Sequence, residues 1–377
     1  MQKRTIVHMD MDSFFVSCER LIDSRLEGKP IIVGGKSGRS VVSSCSYEAR
    51  KFGVHSAMPM KVALMHCPQA IVVEGNYETY SKYSQMITEI IHESAPIYEK
   101  SSIDEFYLDF TGMEQFFGTQ KYAKELREKI IRETGLPISF GLSENKTVSK
   151  IATGEAKPNN SMNIDYGRER VFLSPLSIRK IPYVGEKTYQ TFTDLGIKKI
   201  HTLQEMPVEL LEQIFGKNGR TIWEKANGID LSPVVQFNEK KSISAEHTFE
   251  VDSIDINLIL AYLSTMTQKL IYQLRESQKV TANISVKIRY ADFQTQTMQR
   301  KIHYTASDHV ILPLVMELFK QLYQRRVRIR LIGVKLSHLV QGGFQFSLFE
   351  DDGKHAEIYK AMDRIRGKYG SGSIRFS

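Results

Sequence analysis

The sequence predicts an α/β protein of several domains. Three observations carry that expectation. The chain has 377 residues, room for about two to four domains of ordinary size. Residues 1–165 alternate short strands with amphipathic helices, whereas residues 170–230 hold short helices punctuated by glycine. Residues 241–337 then run strand, helix, strand, strand, helix, strand, the split βαβ order of ferredoxin-like domains.

Composition narrows the class. Hydrophobic residues make up 41% and charged residues 25%, so disorder over the whole length is excluded. No apolar run approaches the roughly 20 residues of a membrane span. The opening MQKRTIVHMDMD puts aspartates where a signal peptide needs apolar residues. A cytoplasmic protein with no membrane partner is expected. Cys18, Cys45 and Cys67 are scattered and lack CxxC spacing, which argues against a disulfide framework or structural zinc. The net charge is +8, and residues 240–340 alone hold 15 basic against 8 acidic side chains. Such an uneven distribution suits a polyanionic partner, nucleic acid first, or else a merely soluble basic surface.

The elements follow in order. Residues 4–10 read as a strand and 13–22 as a helix, with Asp12 at the N-cap position. An apolar strand at 31–35 leads through a Gly/Ser turn into VVSSCS, and a helix starts at Tyr47 and ends near Gly53. Residues 78–95 form an amphipathic helix, and 101–111 alternate like a strand. A helix at 122–135 stops at glycine, followed by a strand at 137–143 and a helix at 145–157. Pro233 and the polar residues to Lys241 read as a linker. Strands at 242–249, 281–290, 297–305 and 327–337 then enclose helices at 256–277 and 309–324.

In the strand at 281–290, Ile284, Val286 and Ile288 share one face while Ser285, Lys287 and Arg289 share the other. Arg326, Arg328 and Arg330 alternate with Val327, Ile329 and Leu331. The expectation is a sheet face combed with cations, able to follow a phosphate backbone. An ordinary solvated face is the alternative.

Two acidic clusters carry the chemistry. Asp10 and Asp12 end one strand, and Asp104-Glu105 opens another. Carboxylates at neighbouring strand ends can converge on Mg²⁺, which prefers one or two carboxylates plus substrate phosphates. Asp-x-Asp alone also occurs in many proteins without metal. Adjacent Asp104 and Glu105 would face opposite ways in a regular strand, so both reach a metal only if the strand begins or bends there. Tyr47 and Arg50, three apart on a helix, can grip a triphosphate from one face. Lys157 adds a cation at a helix end. The turn at 181–185, followed by Lys187, presents amides at a helix start, and 215–219 is a second such turn. Either holds a DNA phosphate or only caps a helix.

Taken together, VHMDMDSFFVSCE, GKPIIVGG, YEARKFGVHSAMP, SIDEFYLDFT, GLSENKTVSKIATGEAKPN, IPYVGEKT and FGKNGRTIWEKANGID resemble the Y-family translesion DNA polymerases. The bacterial DNA polymerase IV type is the nearest match in kind, and the resemblance covers about residues 5–340. It implies a right-hand-like polymerase: an α+β palm at 1–19 and 75–165, small fingers at 20–74, and a helical thumb with helix-hairpin-helix turns at 166–233. A linker at 234–240, a βαββαβ little finger at 241–340 and a tail at 341–377 complete it.

The resemblance further implies that Asp10, Asp104 and Glu105 hold two Mg²⁺ ions, with the Met11 carbonyl as a further ligand. Phe15 would be a steric gate against ribonucleotides. Tyr47, Arg50 and Lys157, with the amides of Phe14 and Phe15, would hold the incoming dNTP. Gly185, Lys187, Lys287, Arg289, Arg326, Arg328 and Arg330 are the expected contacts to primer-template DNA. In the tail, Gln345, Leu348 and Phe349 resemble a motif that binds the bacterial sliding clamp.

Three departures stand out. Tyr183 replaces a usual glycine in the thumb turn, Ser149 replaces a common alanine, and the ending YKAMDRIRGKYGSGSIRF resembles UmuC-type relatives. The expected activity is error-prone translesion synthesis by a monomer, without proofreading, since no length remains for a nuclease domain. A non-catalytic DNA-bound scaffold would have lost the acids, and a nucleotidyl cyclase would not need the basic sheet.

Overall fold

The computed structural model describes residues 3–113, 118–236, 239–342, 352–370, 373 and 374. The chain divides into two compact units, Met1–Asn238 and Glu239–Ser377. Among the described residues no helix is long and apolar enough to cross a membrane.

The first unit opens with β1 (Ile6–Met11) and α1 (Phe14–Ile22). A small excursion follows: β2 (Ile31–Gly34), β3 (Val42–Cys45), α2 (Tyr47–Arg50), α3 (Met60–His66) and β4 (Ile71–Val73). The chain returns through α4 (Tyr77–Ser94), β5 (Ile97–Lys100), β6 (Glu105–Asp109), α5 (Thr119–Thr134), β7 (Ile138–Ser143), α6 (Lys146–Ala156) and β8 (Ser161–Asn163). The main sheet has the order β5-β6-β1-β7-β8, and the excursion forms its own sheet, β3-β2-β4.

The two-residue period of β1 sets the rest of the unit. Val7, Met9 and Met11 join a core with Ile87, Ile91, Phe106, Ile130 and Phe140, all essentially without solvent contact. Each such side chain contributes about 1.5–3 kcal/mol of burial. Ile6, His8 and Asp10 therefore face the other way, toward α6. That helix can lie close because Gly141, opposite His8 in β7, has no side chain. A Cβ there would meet the Ser149 carbonyl oxygen at 2.2 Å.

The unit ends in short helices: α7 (Glu169–Leu173), α8 (Glu186–Asp194), α9 (Ile200–Glu205), α10 (Val208–Phe215) and α11 (Lys217–Ala226). Gly216, at φ +59°, is the whole turn between α10 and α11. Gly219 lets those helices cross, since a Cβ there would sit 2.1 Å from the Leu211 carbonyl oxygen.

The second unit contains β9 (Ser242–Ser253), α12 (Ile256–Glu276), β10 (Lys279–Tyr290), β11 (Thr295–Thr305), α13 (Asp308–Leu322) and β12 (Ile329–Ser337). The expected βαββαβ order is present. The antiparallel sheet runs β11-β10-β12-β9, so each helix crosses over one strand. Ile284, Val286 and Ile288 are buried against α12 and α13, as the alternation predicts.

A short β13 (Val340–Gln341) and α14 (Asp352–Tyr369) follow. The sequence pattern gives α14 no role, yet it packs on this unit. Tyr359 and Arg366 are buried, and Asp363 takes two hydrogen bonds from Arg275, at 2.6 and 2.8 Å.

Two expectations need correction here. The strand expected over 101–111 begins only at Glu105, because Ser102 caps a turn by accepting the amides of Asp104 and Glu105. The arginine comb is also different. The strand starts at Ile329, so Arg326 and Arg328 precede it, and a register shift falls at Arg330. Register instead puts Lys335 and Gly333 beside Ser285 and Lys287 on the outward face.

Candidate active site

Register brings the acids together. Asp10 pairs directly with Glu105 across the antiparallel β1–β6 ladder, so both side chains leave on the α6 face. Asp104 lies one residue before β6, and its carbonyl accepts the Met11 amide at 3.1 Å. The strand start resolves the geometric objection to adjacent Asp104 and Glu105. A cleft of about 380 Å³ opens at this end of the sheet, lined among others by Asp10, Met11, Phe15, Arg50, Asp104 and Lys157.

Two lysines on one helix face neutralise two of the acids. Lys157, just past α6, donates to Asp10 at 2.5 Å and to the Met11 carbonyl at 2.9 Å. Lys150 donates to both oxygens of Glu105, at 2.6 and 2.7 Å. Among the described residues no three acidic, histidine or cysteine side chains close into a metal-holding cluster. Burial pushes the Asp10 carboxyl up to about 7 against the pull of Lys157, and Glu105 and Asp104 add to the rise. The site thus disfavours another negative charge and favours a cation.

Asp12 is not the cap of α1. Ser13 holds that position, with its backbone at φ +44°. The Asp12 side chain is instead 2% exposed. It accepts from Ser139 Oγ (2.9 Å), the Asn159 amide (2.7 Å) and the Tyr47 hydroxyl (3.2 Å). Full hydrogen bonding is what makes a buried carboxylate tolerable. Asp12 thereby ties β1 to β7, to the turn after α6 and to α2.

The other expected residues fall around this mouth. Arg50 lies over the Tyr47 ring at 4.8 Å, confirming that the two share a face of α2. Burial and Asp12 raise the Tyr47 phenol well above its ordinary range, so it stays protonated as a donor. The amides of Phe14 and Phe15 open α1. Phe15 stacks on Tyr80, with centroids 4.3 Å apart and planes at 12°. Tyr80 is itself held by a 2.5 Å hydrogen bond to Glu19. This support was missed in the sequence, since 65 residues separate Phe15 from Tyr80. Lys150 was missed too, although it precedes Lys157 by two helical turns and so shares its face.

The remaining candidates lie elsewhere. Gly185 caps α8, which carries Lys187. Tyr183, at φ +77° and 75% exposed, adopts a left-handed turn conformation ordinarily left to glycine. In the second unit a groove of about 470 Å³ on the open sheet face is lined by Ser244, Glu246, Ser285, Lys287, Gln299 and Lys335, among others. Lys287 donates to Glu246 at 2.5 Å, Arg289 donates to Thr295 at 2.9 Å, and Arg330 lies over the Phe293 ring at 4.6 Å. Gln345, Leu348 and Phe349 lie outside the described residues.

An acid-lined cleft at a sheet end in one unit and a basic sheet face in the other are features of enzymes that handle nucleotides on a nucleic acid. Comparison with known proteins makes the class specific. The impB/mucB/samB family matches residues 9–154, and its C-terminal domain matches residues 240–348. A DNA polymerase IV from Dehalococcoides mccartyi is 37% identical over 379 aligned positions, covering 100% of this chain and 97% of that protein. One from Clostridioides difficile is 36% identical, covering 96% of this chain and 99% of that one. Among solved structures, a Y-family DNA polymerase chimera of Dbh and Dpo4 superposes with a TM-score of 0.79 at 26% identity, covering 89% of this chain and 99% of the other. An insertion ternary complex of Dbh DNA polymerase gives 0.65 at 27% identity, covering 89% and 99%. The chain belongs to the impB/mucB/samB family, the Y-family of DNA polymerases.

Proposed function

We propose that the chain is a template-directed, error-prone translesion DNA polymerase. The primer 3′-hydroxyl attacks the α-phosphate of a dNTP, a new P–O bond forms, and pyrophosphate leaves. The observation that carries this reading is the convergence of Asp10, Asp104, Phe15, Arg50 and Lys157 on one cleft. The scaffold alternative is not favoured, because all three acids are present and oriented to one strand end.

The site fits divalent cations. Its donors are hard oxygens, the carboxylates of Asp10, Asp104 and Glu105 beside the Met11 carbonyl at one strand end. Asp10, Asp104 and Glu105 with the Met11 carbonyl would hold two Mg²⁺, which when bound activate the hydroxyl and neutralise the leaving phosphate. Lys157, Arg50, Tyr47 and the amides of Phe14 and Phe15 hold the triphosphate. The Phe15 ring, backed by Tyr80, fills the space a ribose 2′-hydroxyl would need. Most of the acceleration is then positioning and charge stabilisation.

The organisation we propose is a palm at 1–19 and 75–165, fingers at 20–74, a thumb at 166–233 and a little finger at 241–340. The thumb turn with Gly185 and Lys187 and the outward little-finger sheet hold the DNA backbone. Gln345, Leu348 and Phe349 tether a cytoplasmic monomer to the sliding clamp, raising its local concentration at primer ends. The deciding experiment is extension of a primed template with each dNTP in Mg²⁺, opposite undamaged and adducted bases. Absence of templated incorporation overturns the reading.

A further inference from the structure

The segment after α11 is strapped to the start of α6. Asn145, the N-cap of α6, donates through Nδ2 to the Gly228 carbonyl at 2.8 Å. Arg4 donates to the Asp230 and Ser232 carbonyls at 3.4 and 2.8 Å. At the centre lies a closed triangle. Lys225 Nζ donates to Thr147 Oγ1 at 2.6 Å and to Asp230 Oδ2 at 3.1 Å, and the Thr147 hydroxyl donates to Asp230 Oδ2 at 2.6 Å. Thr147 is 2% exposed, and the Lys225 and Asp230 side chains are 11% and 8% exposed. A buried ion pair contributes little net stability once desolvation is counted, but it strongly constrains geometry.

What it constrains is α6. That helix carries Lys150 onto Glu105 and leads directly to Lys157 on Asp10. At the other end of the link, Lys225 lies 5.4 Å from the ring centroid of Tyr183, in the exposed turn before α8. Direct contacts thus run from that turn through Lys225 and α6 to the acids.

We infer that Thr147, Lys225 and Asp230 are positioning residues for nucleotidyl transfer. Their triangle fixes α6, and so the height of Lys150 and Lys157 above the acids. None of the three touches substrate. The inference rests on the reading of Asp10, Asp104 and Glu105 as the reacting centre. It predicts a loss of rate at saturating nucleotide, with DNA affinity unchanged. Misplacing reacting groups by a fraction of an ångström costs rate steeply, about tenfold here against the roughly 10²-fold of a full 1 Å.

The test is single-turnover incorporation by the full chain carrying Thr147→Val, which removes the hydroxyl at constant shape. Thr147→Ser keeps the hydroxyl, and Lys225→Met is a second disruption should the valine enzyme not fold. Trp223 fluorescence checks folding in each. The expected result is a saturating rate about tenfold down for Thr147→Val and Lys225→Met, with DNA Kd within about twofold. Thr147→Ser should run at close to the wild-type rate. Wild-type rates for folded valine and methionine variants, or a serine variant as slow as valine, overturn the inference. Asp104→Ala is assayed alongside. If it alone remains active, the active-site reading has failed; if it is dead while Thr147→Val is normal, only the positioning role has.

Discussion

The two units solve opposite problems with the same material. Each is built on a sheet with helices packed against it, wholly antiparallel in the second unit and ending in a parallel β7–β8 pair in the first unit's main sheet. The first places its charges at a strand end, half-buried and closely paired: Lys157 with Asp10 and, at 3.6 Å, Asp12; Lys150 with Glu105. The second spreads its charges over an open sheet face, where Lys335 is exposed and Lys287 is paired near solvent with Glu246. Buried, closely spaced charges give a site whose function turns on individual atoms. Exposed, widely spaced charges give a surface that works by their number. The difference predicts how each fails: the first abruptly, the second by degrees.

The largest expected effect is therefore at the strand end. Asp104→Ala or Glu105→Ala should lower incorporation by at least about 10³-fold, because a metal-stabilised transition state is worth several kcal/mol. DNA affinity should stay within a few-fold, since phosphate contacts elsewhere supply it. Turnover in Mg²⁺ and a binding titration read the two quantities separately. Wild-type turnover by either variant would remove the distinction between the regions.

Phe15→Ala comes next. The ring is fixed by stacking on Tyr80, so truncation opens space without disturbing the acids. The ratio of dCTP to CTP incorporation efficiency should fall by at least about tenfold, the range a pocket contact typically controls. An unchanged ratio would mean that something else excludes the 2′-hydroxyl.

The sheet face should respond gradually. Lys287→Gln, Arg289→Gln and Lys335→Gln together should flatten the slope of log K against log salt by up to about 2–3 units, one per lost phosphate contact. Arg326→Gln with Arg328→Gln, which sit before the strand, provides the comparison. If the second set changes the slope as much as the first, the groove is not the main DNA surface.

How far the sequence could reveal this follows from the range of each signal. Asp10 and Asp104-Glu105 were visible as acids at strand boundaries because turn chemistry and period-two alternation are local. The βαββαβ order was visible for the same reason. The register of β12 was not, because Arg326, Arg328 and Arg330 alternate well as text while the strand starts at Ile329. Asp12 was misread as a helix cap since its partners Ser139, Asn159 and Tyr47 come from three distant segments. The NKT and NGID motifs were legible separately. Their contact, Thr147 to Asp230 across 83 residues, was not.

That contact offers the smallest effect and a clean sign. Burial opposes ionisation of Asp230, yet hydrogen bonds from Ser232 and Thr147 and the charge of Lys225 bring its carboxyl down from 3.8 to about 2. A carboxyl lowered by folding stabilises the fold above its ordinary value and loses that contribution as pH falls toward the folded value. Asp230→Asn cannot ionise and lacks the contribution at every pH. The gap in stability between wild type and variant should thus be full at pH 5 and shrink steadily between about pH 4 and pH 2. Trp223, the chain's single tryptophan, lies in α11 and donates to the Met206 carbonyl at 3.0 Å. Its fluorescence during denaturant unfolding reports the helices beside the link rather than the second unit, whose transition need not coincide. A gap that stays constant from pH 5 to pH 2 would show that Asp230 holds α6 by shape and neutral hydrogen bonding, with no part played by its charge.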